Sequence, residues 1–402
     1  MTFRIKTKAV GDVPFFLSYG LFLVTSILST SFFYRFYMGK PFMWLQILCV
    51  ALLIGYEILS NGVEEQNWIG LAAAMVLSSI AMRISDGNLQ RLVAVMFLYT
   101  YCARRIPFAK VAGFTLNVSI VMVCVIVCCS YLGIIDNVTV SKSGRVREYL
   151  GFRYALYLPG ILLNMTALWI YLRKERITVP GALVWAVANW VVYIKTDSRI
   201  SFVLAELLLV AALAIRYLPK VVEKIKVFWA VLAASFGVCT VFSLFMTIIY
   251  DSTIPWMRKL NSMLESRLSL GKRSLEDFGV NWFGKRIDWI GNGLDAQGNT
   301  IQEAYNYVDC LYVKILQRYG MAFFLILLVL LCWSMFRLFK RREYHLLLIC
   351  SSVAAHCILD DLSFALHYNT FWIAMGVALL CPAMLDWDGK TNQISPPEIQ
   401  KE

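Results

Sequence analysis

The sequence predicts an all-α polytopic membrane protein, and its composition and patterning both support this class. Hydrophobic residues make up 59% of the 402 residues and charged residues only 16%, so the chain is far more apolar than a soluble domain. Apolar runs close to the roughly 20 residues of a membrane-spanning helix recur along its length. A single integral membrane domain over residues 1–402 is therefore expected, and no P-loop or dinucleotide-binding motif interrupts it.

Twelve apolar segments are interpreted as transmembrane helices, some of them short enough to be broken spans. They cover residues 13–33, 41–59, 68–84, 89–103, 111–134, 154–172, 181–194, 200–215, 227–250, 321–338, 344–359 and 371–385. The first segment lacks a signal-peptide cleavage pattern and is long enough to span the membrane. A short basic leader, residues 2–12, precedes it.

Lys and Arg cluster in loops on one predicted side, which places the N-terminus in the cytoplasm. These residues are Arg4, Lys6, Lys8, Arg104, Arg105, Lys110, Arg173, Lys174, Arg176, Arg216, Lys220, Lys224, Lys226, Arg337, Lys340, Arg341 and Arg342. Loop 60–67 on that side has no basic residue and is uninformative. The C-terminal tail, residues 388–402, is then cytoplasmic, and residues 135–152 and 251–320 face outward. The net charge of +12 reflects this topology and not nucleic-acid binding.

Residues 251–320, between the ninth and tenth helices, form the one long polar interval. Nine basic and eight acidic residues nearly balance there, which argues against a polybasic membrane clamp. Trp256, Trp282 and Trp289 are interleaved with these charges, and aromatic faces beside charged groups suit a site that handles sugars and phosphates. The alternative is a folded external loop with a structural core. Only Cys310 of the eleven cysteines lies in the interval, so no disulfide framework is expected.

Basic residues near the outer face are candidate ligands for an anionic substrate. Arg199, in the sequence TDSR, can direct its guanidinium onto phosphate oxygens. The alternative is a structural tie to an acid such as Glu206, two helical turns further on. Arg267, Lys272 and Arg273 belong to residues 254–273, and an apolar stripe predicts that 254–272 lies along the membrane surface. The alternative for these residues is snorkelling to lipid head groups.

Acidic and histidine side chains supply candidates for proton transfer and substrate binding. Asp309 shares the face of a predicted helix with Tyr312, and burial there would make its carboxylate a proton acceptor. The alternative is an acid satisfied by the helix dipole. His356, Asp360, His367 and Asn369 are expected to form a polar cluster that closes an outer cavity. One His–Asp pair without further ligand spacing is a weak zinc signal, so no metal or cofactor is expected.

Several short blocks resemble the Wzy-type repeat-unit polymerases of the O-antigen polymerase and ligase superfamily, in their Gram-positive form. These blocks are TDSR, RLSLG, GVNWFGKRIDWIG, DCLYVKILQRYG and AHCILDD followed by HYN, in that order. In the related ligases a His stands eleven residues before a Gly. In this chain Asp309 stands eleven residues before Gly320, which favours a polymerase over a ligase.

The resemblance implies a GT-C-type membrane glycosyltransferase that joins undecaprenyl-diphosphate-linked oligosaccharides into capsular or exopolysaccharide on the outer face of the plasma membrane. Arg199, Arg267 and Lys272 would neutralise the diphosphate, and Asp309 would accept the acceptor's proton. The implied partners are the lipid-linked oligosaccharide, the bilayer and a chain-length regulator. A ligase that transfers glycan to another acceptor and a flippase for the same lipid are the alternatives.

Overall fold

A computed structural model describes residues 11–61, 65–83, 88–142, 145–299 and 305–385 of the chain. Most of the basic leader and the whole tail 388–402 lie outside these residues. Seventeen α-helices fall within the described part, and their bounds are as follows. They are α1 Val13–Ser29, α2 Lys40–Asn61, α3 Glu65–Arg83, α4 Asn88–Cys102, α5 Phe108–Tyr131, α6 Tyr157–Arg173, α7 Val179–Thr196, α8 Arg199–Tyr217, α9 Pro219–Lys224, α10 Lys226–Ala233, α11 Ser235–Ile249, α12 Pro255–Met263, α13 Arg267–Phe278, α14 Leu311–Arg318, α15 Met321–Lys340, α16 Tyr344–His356 and α17 Phe371–Leu380.

A small antiparallel hairpin is added to this mostly helical fold. Strand β1, Thr139–Lys142, pairs with β2, Arg145–Glu148, so that Thr139 lies opposite Glu148. The hairpin belongs to the loop 135–152, which the sequence predicts only as polar. The prediction of a helical membrane protein is confirmed, while "all-α" omits these two strands.

Every one of the twelve predicted segments overlaps a helix, but three of them are not single helices. The segment 13–33 keeps its helix only to Ser29, and a 3₁₀ turn, Phe32–Phe36, follows. The segment 227–250 is divided at Ala234 into α10 and α11, whose axes differ in direction by 59°. The segment 371–385 keeps its helix only to Leu380, and a 3₁₀ turn, Pro382–Leu385, follows. Proline cannot donate the backbone hydrogen bond that would continue α17, which accounts for the change.

Four helices in the described residues are long and apolar enough to cross a membrane, namely α2, α5, α8 and α15. The bent pair α10–α11 makes a fifth if it is one span, and α1, α3, α16 and α17 contain shorter apolar stretches. The outward faces of α7, α8 and α15 expose apolar side chains such as Val187, Leu207 and Val329, which suits contact with lipid.

Contacts between loops show which of them lie at the same end of the helix bundle. At one end, Arg145 of β2 contacts Asp197 and Glu265, and Leu294 N donates to Arg153 O at 2.9 Å. At the other end, Lys174 pairs with Glu343. One end of the helix bundle therefore holds the hairpin and the polar interval 251–320. The turn after α16 lies at the same end, because Leu311 N donates to Cys357 O.

A buried ion pair fixes the opposite end. The guanidinium of Arg104 donates to both carboxylate oxygens of Glu57, at 2.6 and 3.0 Å, and to Asn67 Oδ1 at 3.0 Å. It also lies 3.8 Å from the centroid of the Tyr101 ring. Both charged side chains are buried, so each depends on the other for compensation of its lost hydration.

We expect Arg104→Ala to destabilise the protein by about 3–5 kcal/mol, because it leaves the Glu57 carboxylate buried without its cation. Thermal unfolding of the detergent-solubilised protein measures the effect. The matched control is Arg35→Ala, whose pair with Asp136 is exposed and is worth about 0–1 kcal/mol. Equal losses in the two variants would contradict a stabilising role for the buried pair.

Candidate functional site

A cavity of about 400 Å³ opens at the end of the bundle where the polar interval folds over the helices. Its lining combines tyrosines, three carboxylates and three cationic side chains, which is an unusual concentration of polar groups for an apolar chain. These residues are Tyr34, Tyr154, Tyr157, Tyr305, Tyr307, Tyr319, Tyr368, Asp309, Asp360, Asp361, Arg153, Lys314 and Arg318. Concave sites with a few converging polar groups are the usual places for small-molecule binding.

Three stretches of chain supply most of these groups. Residues 305–309 run in an extended path to α14, whose Lys314 and Arg318 stand one helical turn apart. The turn after α16 supplies Asp360 and Asp361. Leu311 N donates to Cys357 O at 2.9 Å, so the start of α14 is tied to that turn. The carboxylates of two distant segments are thereby brought to one wall.

Lys314, Asp361 and Tyr307 form a hydrogen-bonded unit that is largely shielded from solvent. The Lys314 ammonium contacts Asp361 Oδ2 and the Tyr307 hydroxyl, and Tyr307 Oη donates to Asp361 Oδ2 at 2.9 Å. Burial lowers the pKa of Lys314, while the charge of Asp361 opposes that change. The ammonium also lies 3.9 Å from the centroid of the Tyr307 ring. The unit is compensated internally and fixes the orientation of Tyr307 in the cavity wall.

Asp309 is held between a phenol and a guanidinium. Its Oδ2 accepts a hydrogen bond from Tyr305 Oη at 3.0 Å and lies 3.6 Å from Arg267 Nη2. Burial raises the pKa of Asp309, and the positive charge of Arg267 acts in the opposite direction. The residue precedes α14, which begins at Leu311, so the prediction that Asp309 lies within the helix is wrong.

Asp360 is the carboxyl whose pKa changes most clearly. Burial, reinforced by the negative charge of Asp361, raises its pKa from 3.8 to about 8. One oxygen accepts a hydrogen bond from Leu362 N at 2.8 Å, and the other lies 3.8 Å from His356 Nε2, which is too long for a hydrogen bond. At neutral pH the Asp360 carboxyl therefore keeps its proton, in contrast to an exposed aspartate.

Consecutive ion pairs lead from the hairpin to Asp309. Arg145 Nε lies 3.2 Å from Asp197 Oδ2, and its Nη1 lies 3.4 Å from Glu265 Oε1. Glu265 Oε2 lies 3.3 Å from Arg267 Nη1, which also donates to the Glu265 carbonyl oxygen at 3.0 Å. These contacts join the hairpin, the turn before α8 and the turn before α13 to the buried pair of Arg267 and Asp309.

Arg199 stands at the outer end of this chain and does not line the cavity. Its Nε lies 3.3 Å from Asp197 Oδ1, and 55% of the side chain is exposed. The structural tie that the sequence offered as the alternative is therefore present, with Asp197 as the partner. Glu206, two turns further along α8, has one oxygen without a hydrogen-bond partner among the described residues.

Arg267 and the basic residues after it differ in their surroundings. Arg267 is buried beside Asp309, and its Nε donates to Leu359 O at 3.2 Å. Lys272 Nζ donates to the carbonyl oxygen of Tyr250 at 2.7 Å, while Arg273 is exposed and pairs with Asp277. Neither Lys272 nor Arg273 lines the cavity.

The segment 254–272 is not the single helix that the sequence predicts. Glu265 and Ser266 adopt left-handed backbone angles, with φ of 48° and 69°, so the segment is divided into α12 and α13. Its buried residues Met257 and Leu268 pack against Met246 and Tyr250 near the end of α11. The apolar stripe is therefore used at least in part for packing within the protein.

The remaining predicted binding residues lie close to the cavity, and one of them lines it. His367 is in the wall, where burial lowers its pKa to about 3 and so keeps its ring neutral. His356 Nδ1 is hydrogen-bonded to Ser363 Oγ at 2.6 Å, and Asn369 donates to the Ser363 carbonyl oxygen at 3.2 Å. The Tyr312 hydroxyl donates to Ala354 O at 2.8 Å. His356, Asn369 and Tyr312 thus support the wall from behind.

Several cavity residues escaped the sequence analysis. Lys314 and Arg318 were visible as two cations spaced four residues apart in one predicted helix, which is a signal for a shared face. Arg153 gave no such signal, because it follows a polar loop with other arginines. Its guanidinium donates to the carbonyl oxygens of Ser29 and Leu294, at 2.5 and 3.3 Å, and no carboxylate in the described part of the chain pairs with it.

The fold and this cavity define a helical membrane protein with a tyrosine-lined, titratable site at one end of its bundle. No protein-family model, curated protein or solved structure matches the chain. Within the described ranges, no group of three or more His, Cys, Asp or Glu side chains is arranged to hold a metal ion.

We expect the native protein to lose stability as the pH rises from 5 to 8, and the Asp360→Asn variant to lose less over the same range. The native pKa of about 8 lies above the ordinary value of 3.8, so in this range the folded state still holds a proton that the unfolded state has already released. The stabilisation is complete below the lower value and is lost as pH rises toward the higher one. The measurement is the unfolding temperature in detergent across this range.

The control for this experiment is Asp277→Asn on α13, whose carboxylate is 52% exposed. It should keep the native pH dependence of the unfolding temperature. If Asp360→Asn also kept that dependence, the proton would not reside on Asp360.

Proposed function

We propose that the protein polymerises undecaprenyl-diphosphate-linked oligosaccharide repeat units by glycosyl transfer, as a GT-C-type enzyme of the plasma membrane. The observation that carries this proposal is the cavity itself, in which buried carboxylates, cations and tyrosines converge at one end of an apolar helix bundle. Transfer of a diphosphate-activated sugar needs an acceptor for one proton and positive charge for the leaving group, and the cavity offers both kinds of group.

The proposed topology has twelve crossings, with both termini in the cytoplasm and the cavity outside. The sorting of loops into two ends supports an alternating path through the membrane. Asp12, before α1, pairs with Lys110 at the start of α5, and Leu385 accepts a hydrogen bond from Tyr171 at the end of α6. Asp12 and Leu385 thus both lie at the side of the bundle that is rich in Lys and Arg, and the positive-inside rule assigns that side to the cytoplasm.

The reaction proposed here forms one bond and breaks another. The acceptor hydroxyl oxygen bonds to the anomeric carbon of the donor as the bond from that carbon to the diphosphate oxygen breaks. The electron pair leaves with the diphosphate, and the hydroxyl proton passes to Asp309. A carboxyl whose pKa is raised by burial is a stronger base than an exposed one, and Arg267 stabilises its charged form.

The three carboxylates would then have separate roles. Asp361 is held by Lys314 and Tyr307 and orients the wall, whereas Asp360 carries a proton at neutral pH and can donate a hydrogen bond to a sugar oxygen. Of the three, only Asp309 combines a raised pKa with a guanidinium at ion-pair distance, 3.6 Å away on Arg267. In many enzymes, neighbouring carboxyl groups take acid and base roles because their surroundings give them different pKa values.

The diphosphate is proposed to bind beside Arg153 and Arg318, with Arg267 at the edge of the site. Arg153 lines the cavity and donates only to carbonyl oxygens, so its positive charge is not neutralised by a carboxylate in the described residues. A planar guanidinium suits bidentate contact with phosphate oxygens. Arg199 and Lys272, whose side chains contact other groups outside the cavity lining, would contribute less than the sequence suggested.

Tyrosine rings are suited to the oligosaccharide. They line much of the wall and combine an apolar face with a hydroxyl group that can bind sugar oxygens. Longer glycan is proposed to leave the cavity toward the outside. The partners proposed are the lipid-linked donor and acceptor, the bilayer and a chain-length regulator.

We expect Asp309→Asn to abolish polymerisation while substrate binding is retained. The amide keeps the shape of the side chain but cannot accept the proton, and loss of a general base costs about 10²–10⁴-fold in rate. The assay incubates purified protein in liposomes with a synthetic diphospholipid repeat unit and follows ladder formation on gels. Asp277→Asn, in the exposed pair with Arg273, is the matched control.

The same assay separates the alternative functions. A single transfer to a different acceptor would indicate a ligase, and movement of intact lipid without new bonds would indicate a flippase. Full activity of Asp309→Asn would remove this residue from the catalytic assignment.

We also expect Arg145→Ala to lower the polymerisation rate by a smaller factor than Arg267→Ala. Arg145 can influence Asp309 only through Glu265, which in turn pairs with Arg267. A partly exposed ion pair of this kind is worth about 0.2–1 kcal/mol, or less than tenfold in rate. Arg267 contacts Asp309 itself, and loss of such a charge costs about 10²–10³-fold.

Initial rates at saturating and limiting substrate distinguish the two variants from one another. The control is Arg286→Ala, an exposed residue of the same polar interval. If Arg145→Ala were as inactive as Arg267→Ala while remaining folded, the hairpin would contribute more than positioning.

A further inference from the structure

Two large aromatic side chains stand on the surface of the loop that follows α13. Trp282 is 61% exposed and Phe283 is 84% exposed, which is the largest exposed fraction of any large hydrophobic residue in the described chain. Neighbouring exposed apolar residues in a folded loop mark an interaction surface more often than single ones do. The pair is not in the cavity lining and has no place in the proposed reaction.

The backbone holds this pair rigidly at the start of α15. Met321 N donates to Asn281 O at 2.9 Å, and Ala322 N donates to Trp282 O at 3.1 Å. Lys285 N donates to Arg318 O at 3.1 Å. The first amide groups of α15, which have no partner within their own helix, are thus satisfied by the aromatic loop. The loop is therefore an ordered extension of that helix.

Two glycines make this close approach possible. Gly284 has φ of 73°, and a Cβ atom there would collide with the Arg318 carbonyl oxygen. Gly320 has φ of 89°, and a Cβ atom there would collide with the Gly284 nitrogen. Positive φ and absence of a side chain are both needed, so only glycine fits at either position. The two glycines therefore allow this loop to pack directly against the junction between α14 and α15.

The attachment fixes the depth of the aromatic pair relative to the bilayer. The exposed apolar face of α15 begins at Leu325 and Ile326 and continues to Val329. With a rise of about 1.5 Å per residue, Ala322, which is bonded to Trp282, lies only about 5 Å along the axis from Leu325. Tryptophan favours this boundary between water and hydrocarbon, where its ring is partly buried and its N–H stays hydrated.

We propose that Trp282 and Phe283 form a membrane anchor that inserts into the head-group and acyl-chain boundary of the leaflet beside the start of α15. The occupant of this surface is lipid, because the exposed face of α15 continues directly from it. Because this loop is bonded to α14, the anchor would hold Lys314 and Arg318, and with them the cavity wall, at a fixed distance from the bilayer. This inference concerns the membrane surface and does not depend on the reaction proposed above.

Photocrosslinking tests the proposal in the intact chain. Phe283 is replaced by p-benzoylphenylalanine, which is itself aromatic, and the purified protein is placed in phosphatidylethanolamine–phosphatidylglycerol vesicles and irradiated. Mass spectrometry of the protein then measures lipid adducts at this position. We expect an adduct yield several-fold above that of the control, which carries the same residue at Asp277, exposed on α13 of the same interval.

A second variant with p-benzoylphenylalanine at Trp282 keeps the test decisive if the first folds poorly. Lipid adducts at either position, with acyl-chain attachment, support the anchor. Adduct yields equal to that of the control would overturn the proposal, as would crosslinks to a second copy of the chain in place of lipid. Neither outcome changes the ladder assay, so failure of the anchor and failure of the polymerase proposal are distinguishable.

Discussion

Burial of charge against charge is the constraint on which this site depends. The Lys314–Asp361 and Arg267–Asp309 pairs are both largely removed from solvent, and each joins the polar interval 251–320 to another part of that interval or to the turn after α16. A buried ion that lost its partner would keep its desolvation cost without compensation. The polar interval is therefore held in one arrangement over the helix bundle, although most of its residues lie outside any long helix.

The same constraint gives neighbouring carboxyls different properties. Asp361 is committed to Lys314 and Tyr307, and its charge is one reason why Asp360 retains a proton to about pH 8. Asp309 lies between these two situations, because burial opposes its ionisation and Arg267 favours it. A single cavity can thus present a neutral hydrogen-bond donor and a basic carboxylate, the two kinds of carboxyl group that the proposed reaction uses.

Helix α14 connects the cavity to the aromatic loop that carries Trp282 and Phe283. Lys314 and Arg318 contribute side chains to the cavity wall, while the Arg318 carbonyl oxygen accepts the hydrogen bond from Lys285 that holds the aromatic loop. Gly284 and Gly320 allow this contact, since any side chain at either position would strike the opposing backbone. The placement of the cavity's cations and that of the aromatic loop therefore both follow from one short helix and two glycines.

The sequence by itself determined the class of the protein, the approximate place of nearly every helix and the importance of the polar interval. These features follow from hydrophobic periodicity and composition, which act locally and can be read residue by residue. It also selected Asp309, Asp360 and His367, which line the cavity, and Arg267, which lies beside it. It did not reveal the break at Glu265 and Ser266, because two non-glycine residues with positive φ leave no pattern in the chain.

Only the tertiary structure decided which charges meet. The pairing of Lys314 with Asp361, 47 residues away, and of Arg145 with both Asp197 and Glu265, depends on how distant turns are packed together. Arg153 entered the cavity for the same reason, and Arg199, Lys272 and Arg273 were drawn to other partners. Charged side chains are long and their interactions are not periodic, so their partners are set by the folded arrangement of the backbone and not by spacing along the sequence.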